Sequence, residues 1–156
     1  MFFALCILLI GCDRVTKEVA KARIGDGTIH SYLHDVLRLE YTENTGAAMG
    51  LGERLSPGAS LWILSIIPLV VMACLSVYVI RKSGDMNSSR FLAFALIIAG
   101  GLGNIVDRLM FHRHVTDFLN LGIGDLRTAI FNFADFYIMV GIGLLIFTRT
   151  RTPQTV

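Results

Sequence analysis

The sequence predicts an all-α polytopic membrane protein: four transmembrane helices with a small extracytoplasmic β-sheet subdomain. Three observations carry that expectation. The 156 residues are 54% hydrophobic and only 17% charged, with a mean hydropathy of +0.64, which excludes an ordinary soluble domain. The apolar residues gather in four runs, of which Leu61 to Ile80 holds twenty residues without a charge, enough to span a hydrocarbon core of ~30 Å. Val36 to Glu43, between the first two runs, alternates apolar with polar residues as a half-buried strand does.

The first helix is expected over about 1–22. Met1 to Cys12 alone reaches only about 18 Å, so the helix must continue through Asp13, Val15 and Val19. Leu9-Ile10-Gly11-Cys12 fits a lipobox, but no basic residue precedes it and another membrane protein follows, so the match is read as chance. The second helix, 59–80, opens on Ser56-Pro57 as cap and first turn, and Pro68 is expected to kink it. The third, 90–111, carries Gly100, Gly101 and Gly103, which permit close helix approach. The fourth, 129–148, contains Asp135 within an otherwise apolar stretch.

Basic residues set the orientation. Arg81, Lys82 and Arg90 lie between helices two and three, and Arg149 and Arg151 follow helix four. The positive-inside rule places these, and both termini, in the cytoplasm. Residues 23–58 and 112–128 then face outward, the first holding the strand, the turn Asn44-Thr45-Gly46 and an interfacial piece near Leu51 to Leu55. No repeat or linker interrupts the chain, so 1–156 is read as one domain. A net charge of +2 leaves no nucleic-acid footprint. Cys6, Cys12 and Cys74 are irregularly spaced and read as small buried hydrophobes, with neither a disulfide framework nor a zinc pattern.

This topology gathers the embedded polar residues at one depth. Asp13 falls in the outer half of helix one, Asn104, Asp107 and Arg108 shortly before helix three exits, and Asn132 and Asp135 one to two turns inside helix four. Asp117 is placed in the loop joining helices three and four. An ionisable group in a membrane helix is expensive and marks function. Two nearby carboxylates cannot both ionise cheaply and so share a proton, which suits general acid–base hydrolysis of a peptide without a metal.

Plainer readings apply to several residues. Asp13 and Lys17, at i, i+4, read as a structural charge pair, and Asp107 beside Arg108 as an ion pair at a helix end. Asn104 and Asn132 can bridge helices by hydrogen bonds. His112 and His114 lack a third ligand and read as solvated loop residues. Asp135 has no basic residue within a helical turn to neutralise it. Gly122-Ile123-Gly124-Asp125 matches the GxGD string of another class of membrane peptidases, but it reads as a turn, and no Tyr-Asp partner motif exists in the chain.

Four ordered blocks resemble bacterial lipoprotein signal peptidase (signal peptidase II), a family of four-helix aspartic peptidases of the inner membrane. They are Asp13-Arg14-Val15-Thr16-Lys17; Asn44-Thr45-Gly46-Ala47-Ala48-Met49-Gly50, with Met49 where Phe is usual; Gly100 to Arg108 with Val115-Thr116-Asp117-Phe118; and Phe131-Asn132-Phe133-Ala134-Asp135. The stretch Phe111-His112-Arg113-His114 is one residue longer than the family's. The resemblance implies Asp117 and Asp135 as the catalytic pair. It implies Asn44, Asn104, Arg108 and Asn132 lining the site, with Gly46, Asp13, Lys17 and Asp107 in support.

It further implies a diacylglyceryl-modified prolipoprotein as substrate, cut just before the lipidated cysteine, with membrane lipid as the other partner, no cofactor, no metal and no nucleic acid. A monomer is expected. Competing classes are a small proton-coupled transporter using Asp135 and Asp107, and an inactive homologue that binds lipoproteins without cutting.

Overall fold

The computed structural model describes residues 2–47 and 51–148. Ala48, Met49 and Gly50 of the second block, and the basic residues Arg149 and Arg151, lie outside the described residues. Helix α1 (Phe2–Ile24) leads into a hairpin of β1 (Ile29–Tyr32) and β2 (Leu37–Asn44). A turn at 51–55 follows, closed by the Leu55 N–H on the Gly52 carbonyl at 3.0 Å.

Helix α2 (Pro57–Leu61) starts on Ser56, whose hydroxyl accepts from the Ala59 N–H, with Pro57 in the first turn, as expected. It passes through a π-helical turn, Trp62–Ile66, into α3 (Ile67–Lys82). That wider turn ends just before Pro68, whose missing N–H breaks the regular ladder there. Helix α4 (Ser88–Met110) is capped by Asn87, which accepts from the Arg90 N–H at 2.8 Å. Strands β3 (Val115–Ile123) and β4 (Leu126–Arg127) precede α5 (Phe133–Phe147). The strands form one antiparallel sheet in the order β1-β2-β3-β4. Two helical runs, Pro57–Asp85 and Ser88–Met110, are long and apolar enough to cross a membrane.

The sheet corrects the expected topology in two places. Asp117 is not in a loop but in β3, paired with Thr42 of β2. A carboxylate interrupts the apolar alternation of β3, and its pairing partner lies far away in sequence, so no local pattern announces the strand. Helix α5 begins at Phe133 rather than near residue 129. Residues 128–132 lie outside any helix, and Phe131 exchanges hydrogen bonds of 2.8 Å with Leu119 in both directions. Asp135 therefore sits in the first turn of α5 and not deep within it. Gly124 and Asp125 form the β3–β4 turn, with Gly124 at φ +57°.

Two apolar clusters hold the molecule, with a polar layer between them. Phe2, Cys6, Val79, Phe94, Ala95, Ile98 and Ala99 join α1, α3 and α4. Ala20, Ile24 and Phe118 join the far end of α1 to the sheet, packed by Leu39, Leu119 and Phe133. Cys6 is buried as expected, while Cys12 and Cys74 are exposed on helix surfaces. The closest helix contact is α4 on α5. A Cβ at Gly100 would lie 2.3 Å from the Ala134 carbonyl oxygen. A backbone oxygen cannot swing aside, so that glycine sets the spacing of the two helices that carry the polar layer.

The expected consequence is that Gly100→Ala lowers the thermal unfolding midpoint in detergent, at a cost of roughly 1–3 kcal/mol from overpacking. Gly143→Ala, in the same pair of helices but with no atom within 4 Å of the added Cβ, leaves the midpoint unchanged or raises it.

Candidate active site

The polar layer is built on Lys17. Its ammonium is 2.7 Å from Asp13 Oδ2 and 2.7 Å from Asp107 Oδ2, and it donates to Asn104 Oδ1 at 3.0 Å. All three charged side chains are essentially inaccessible. Among the described residues Asp107 Oδ2 has no hydrogen-bond partner in its own right and is compensated by the ion contact with Lys17. Arg14 donates to the other Asp107 oxygen at 3.1 Å, pairs with Glu18, and stacks 4.1 Å over the Phe111 ring. Asp13 Oδ1 accepts from the Ala134 N–H at 2.8 Å, one of the donors that the first turn of α5 cannot satisfy internally. Ions this deep are tolerated because each finds an opposite charge and its hydrogen bonds. Asp13 and Lys17 form the expected pair.

Asp107 and Arg108 do not. Successive helix residues point apart, and Arg108 reaches away from Asp107 to donate to the Gly46 carbonyl at 2.7 Å and the Asn104 carbonyl at 3.4 Å. Among the described residues its Nε has no partner and is buried.

Asp117 and Asp135 meet through side-chain amides. Asn132 is the N-cap of α5 and forms a capping box with Asp135: its Oδ1 accepts from the Asp135 N–H at 3.0 Å, and its own N–H donates to Asp135 Oδ2 at 3.2 Å. The Asn132 amide donates to Asp117 Oδ1 at 2.6 Å and to Asn104 Oδ1 at 3.1 Å. Asn104 in turn donates to Asp135 Oδ1 at 2.8 Å. On the other side, Asn44 donates to Asp117 Oδ2 at 3.0 Å while its carbonyl oxygen accepts from the Gly46 N–H at 2.8 Å. A register shift between Leu39 and Thr42 brings Thr42 opposite Asp117 and Asn44 opposite Val115, which aims Asn44 at the carboxylate. Each aspartate thus receives two N–H donors, and Asn132 serves both.

Burial pushes the Asp117 carboxyl up to about 6, the Asn44 bond opposes that rise, and the negative charge of Asp135 adds to it. A carboxyl so placed holds or releases a proton near neutral pH, which is what general acid–base chemistry needs. A hollow of about 160 Å³ opens on Asp117, lined by Thr42, Glu43, Asn44, Glu53, Ala129 and Ile130. Glu53 is an addition to the expected set; it follows the Asn44 turn and carries no motif. A larger hollow of about 350 Å³ is lined by Arg14, Lys17, Lys21, Phe111, His112 and His114 among others, and touches neither aspartate. His114 meets the Phe111 carbonyl at 3.1 Å. Among the described residues, no three His, Cys, Asp or Glu side chains converge as metal ligands.

All the residues expected at the site, from α1, β2, α4, β3 and α5, therefore lie in one connected network. Known proteins share this fold. Two solved structures described as a bacterial membrane enzyme superpose with a TM-score of 0.76 each. One is 27% identical and covers 99% of this chain and 93% of the other. The second is 28% identical, with 93% and 89% covered. The lipoprotein signal peptidases of Streptococcus pyogenes serotypes M5 and M2 are each 32% identical over 146 residues, 94% of this chain and 90% of theirs. The family profile described as signal peptidase (SPase) II matches residues 5–151. With the profile covering nearly the whole chain and the fold matching from end to end, the protein belongs to the signal peptidase II family.

Proposed function

We propose that the chain is an aspartic endopeptidase of the bacterial inner membrane that releases the signal peptide from diacylglyceryl-modified prolipoproteins, cutting just before the lipidated cysteine. The observation that carries this reading is Asn132, whose amide holds Asp117 while its backbone N–H holds Asp135. In the reaction the ionised member of the pair takes a proton from water, and the protonated member polarises the scissile carbonyl. Water attacks the carbonyl carbon, and the two carboxyls exchange roles as the amine leaves. Macroscopic proton affinities belong to the pair. Lys17, Asp13 and Asp107 hold the helices in register around it, and Arg108 with Gly46 shapes the approach to Asp117.

In the same reading the chain works as a monomer and one domain, crossing the membrane four times on α1, the Pro57–Asp85 run, α4 and α5. Its termini are cytoplasmic and the sheet is outside. Helix α1 reaches about 34 Å at 1.5 Å per residue, and its charges begin only at Asp13, so its first half is apolar. The exposed side chains Phe3, Ile7, Leu8, Trp62, Ile67, Val70 and Ile146 suit a lipid-facing surface. The polar groups form one layer near the outer side and not a path across the bilayer, which does not suit a proton-coupled transporter.

Three measurements test the reading. Asp117→Asn and Asp135→Asn are each expected to fold and to lose cleavage of a lipidated prolipoprotein by at least about a thousandfold, the scale of losing an essential catalytic group. Normal cutting by either variant would sink the pair. Purified enzyme in detergent is expected to cut the lipidated precursor and to leave the unlipidated one intact. Equal rates would remove lipid recognition from the proposal.

Stability offers the third. The folded affinity of Asp117 lies above its ordinary value of 3.8, at about 6. Ionised Asp117 therefore costs the folded state nothing below pH 3.8, increasingly more from there to 6, and the full amount above 6. Asp117→Asn removes that cost. Its unfolding free energy relative to the parent is expected to climb over this window by ~1–3 kcal/mol, and a difference independent of pH would contradict the assignment.

A further inference from the structure

Lysine is a donor only, and so is a backbone N–H, whereas an asparagine amide can present either end. Two groups of fixed direction therefore set the orientation of the amides around the carboxylate pair. The Asp135 N–H faces Asn132 Oδ1, which leaves the Asn132 amide nitrogen for Asp117 and Asn104. Lys17 faces Asn104 Oδ1, which leaves the Asn104 amide nitrogen for Asp135. Of the two donors on Asn104 Oδ1, Lys17 gives the charge-assisted and stronger bond.

We infer that Lys17 is a positioning residue for the reaction: it acts through Asn104, fixing which end of that amide faces Asp135. This rests on the reading of Asp117 and Asp135 as the reacting pair. Lys17 stands behind Asn104, and its hydrogen bond and ion contacts go to Asn104, Asp13 and Asp107. With the ammonium in place, Asp135 Oδ1 receives an N–H from Asn104 at 2.8 Å. With the amide turned over, a carbonyl oxygen would face Asp135 and only a protonated carboxyl would satisfy it. The orientation of one amide thus decides how readily the pair gives up its first proton. The charged groups facing the pair are Lys17 and Asp13 from α1, Asp107 and Arg108 from α4, Glu43 from β2 and Glu53 from the turn after it.

A charge-conserving double variant isolates the donor. In Lys17→Met with Asp13→Asn, the amide oxygen introduced at position 13 still accepts from the Ala134 N–H, and Asp107 keeps Arg14. This variant is expected to unfold cooperatively in detergent. Its kcat should fall about tenfold with KM little changed, and the acidic limb of its kcat profile should move up by roughly one pH unit. A folded double variant with the parent's acidic limb would overturn the inference, leaving Lys17 a structural ion.

If the double variant does not fold, Asn104→Asp decides. It has the same shape and still accepts from Lys17 and Asn132, but it turns an acceptor toward Asp135. Its acidic limb must rise too, and an unmoved limb overturns the inference. Cleavage by Asp117→Asn or Asp135→Asn would instead remove the dyad itself, so the two failures are distinct.

Discussion

Everything at the sheet end of this molecule depends on a buried lysine lying between two buried aspartates on different helices. Lys17 and Asp13 share α1, and Asp107 comes from α4. Desolvating one such charge costs several kcal/mol, which only close opposite charges and hydrogen bonds can offset. Asp13 also reaches α5 through the Ala134 N–H. Three helices are therefore tied at a single depth by groups that cannot be satisfied at any other. Apolar packing leaves helices free to slide by a turn at modest cost, since one Leu or Ile replaces another. An ion cluster with partners on α1 and α4 and an anchor on α5 does not permit such a slip.

The carboxylate pair uses that register. Asp135 is in the first turn of α5, where it accepts from the Asn132 N–H of the capping box and from the Asn104 amide. Asp117 comes from a strand and has no such support, so burial dominates its proton affinity. Two chemically identical groups are thereby held differently: one accepts from a backbone N–H at a helix start and from one amide, the other from two side-chain amides. In the proposed reaction the pair divides one proton between two roles, and it needs that difference. The capping box supplies it with local residues alone, because Asn132 and Asp135 are three apart, the spacing a helix start requires.

Much of this was legible in the residues, for identifiable reasons. Asp135 and Asp13 stand out because an apolar run makes any charge conspicuous, and Lys17 follows from the four-residue spacing of a helix face. Strand β2 shows because Val36 to Glu43 alternates. Strand β3 does not, because Asp117 falls where an apolar residue would continue its pattern and its partner Thr42 is distant in the chain. The true start of α5 is written in Asn132 and Asp135 as a capping signature; the apolar residues before it, Ala129 to Phe131, mask it by extending the hydrophobic run. Adjacency in sequence pairs Asp107 with Arg108. Helical geometry sends neighbours to different sides, so the partner had to come from another helix. No periodicity within one segment reports such a contact.

The position of the site follows from the two apolar clusters. The cluster of Phe2, Cys6 and Phe94 joins α1, α3 and α4, and that of Ala20, Ile24 and Phe118 joins α1 to the sheet. Between them, a layer of ions and amides is sheltered from water on its helical side but opens at Asp117 into the hollow lined by Thr42, Asn44 and Ile130. In the proposed reaction a peptide bond reaching Asp117 enters there, beside the sheet, while a chain attached to the same peptide stays against the exposed apolar flanks of the helices. Hydrolysis needs a water molecule, and a lipid tail needs its absence. For the proposed reaction this fold provides the two conditions side by side by bringing a strand down onto the ends of two helices, and Asn44 and Asn132 hold Asp117 at the open hollow.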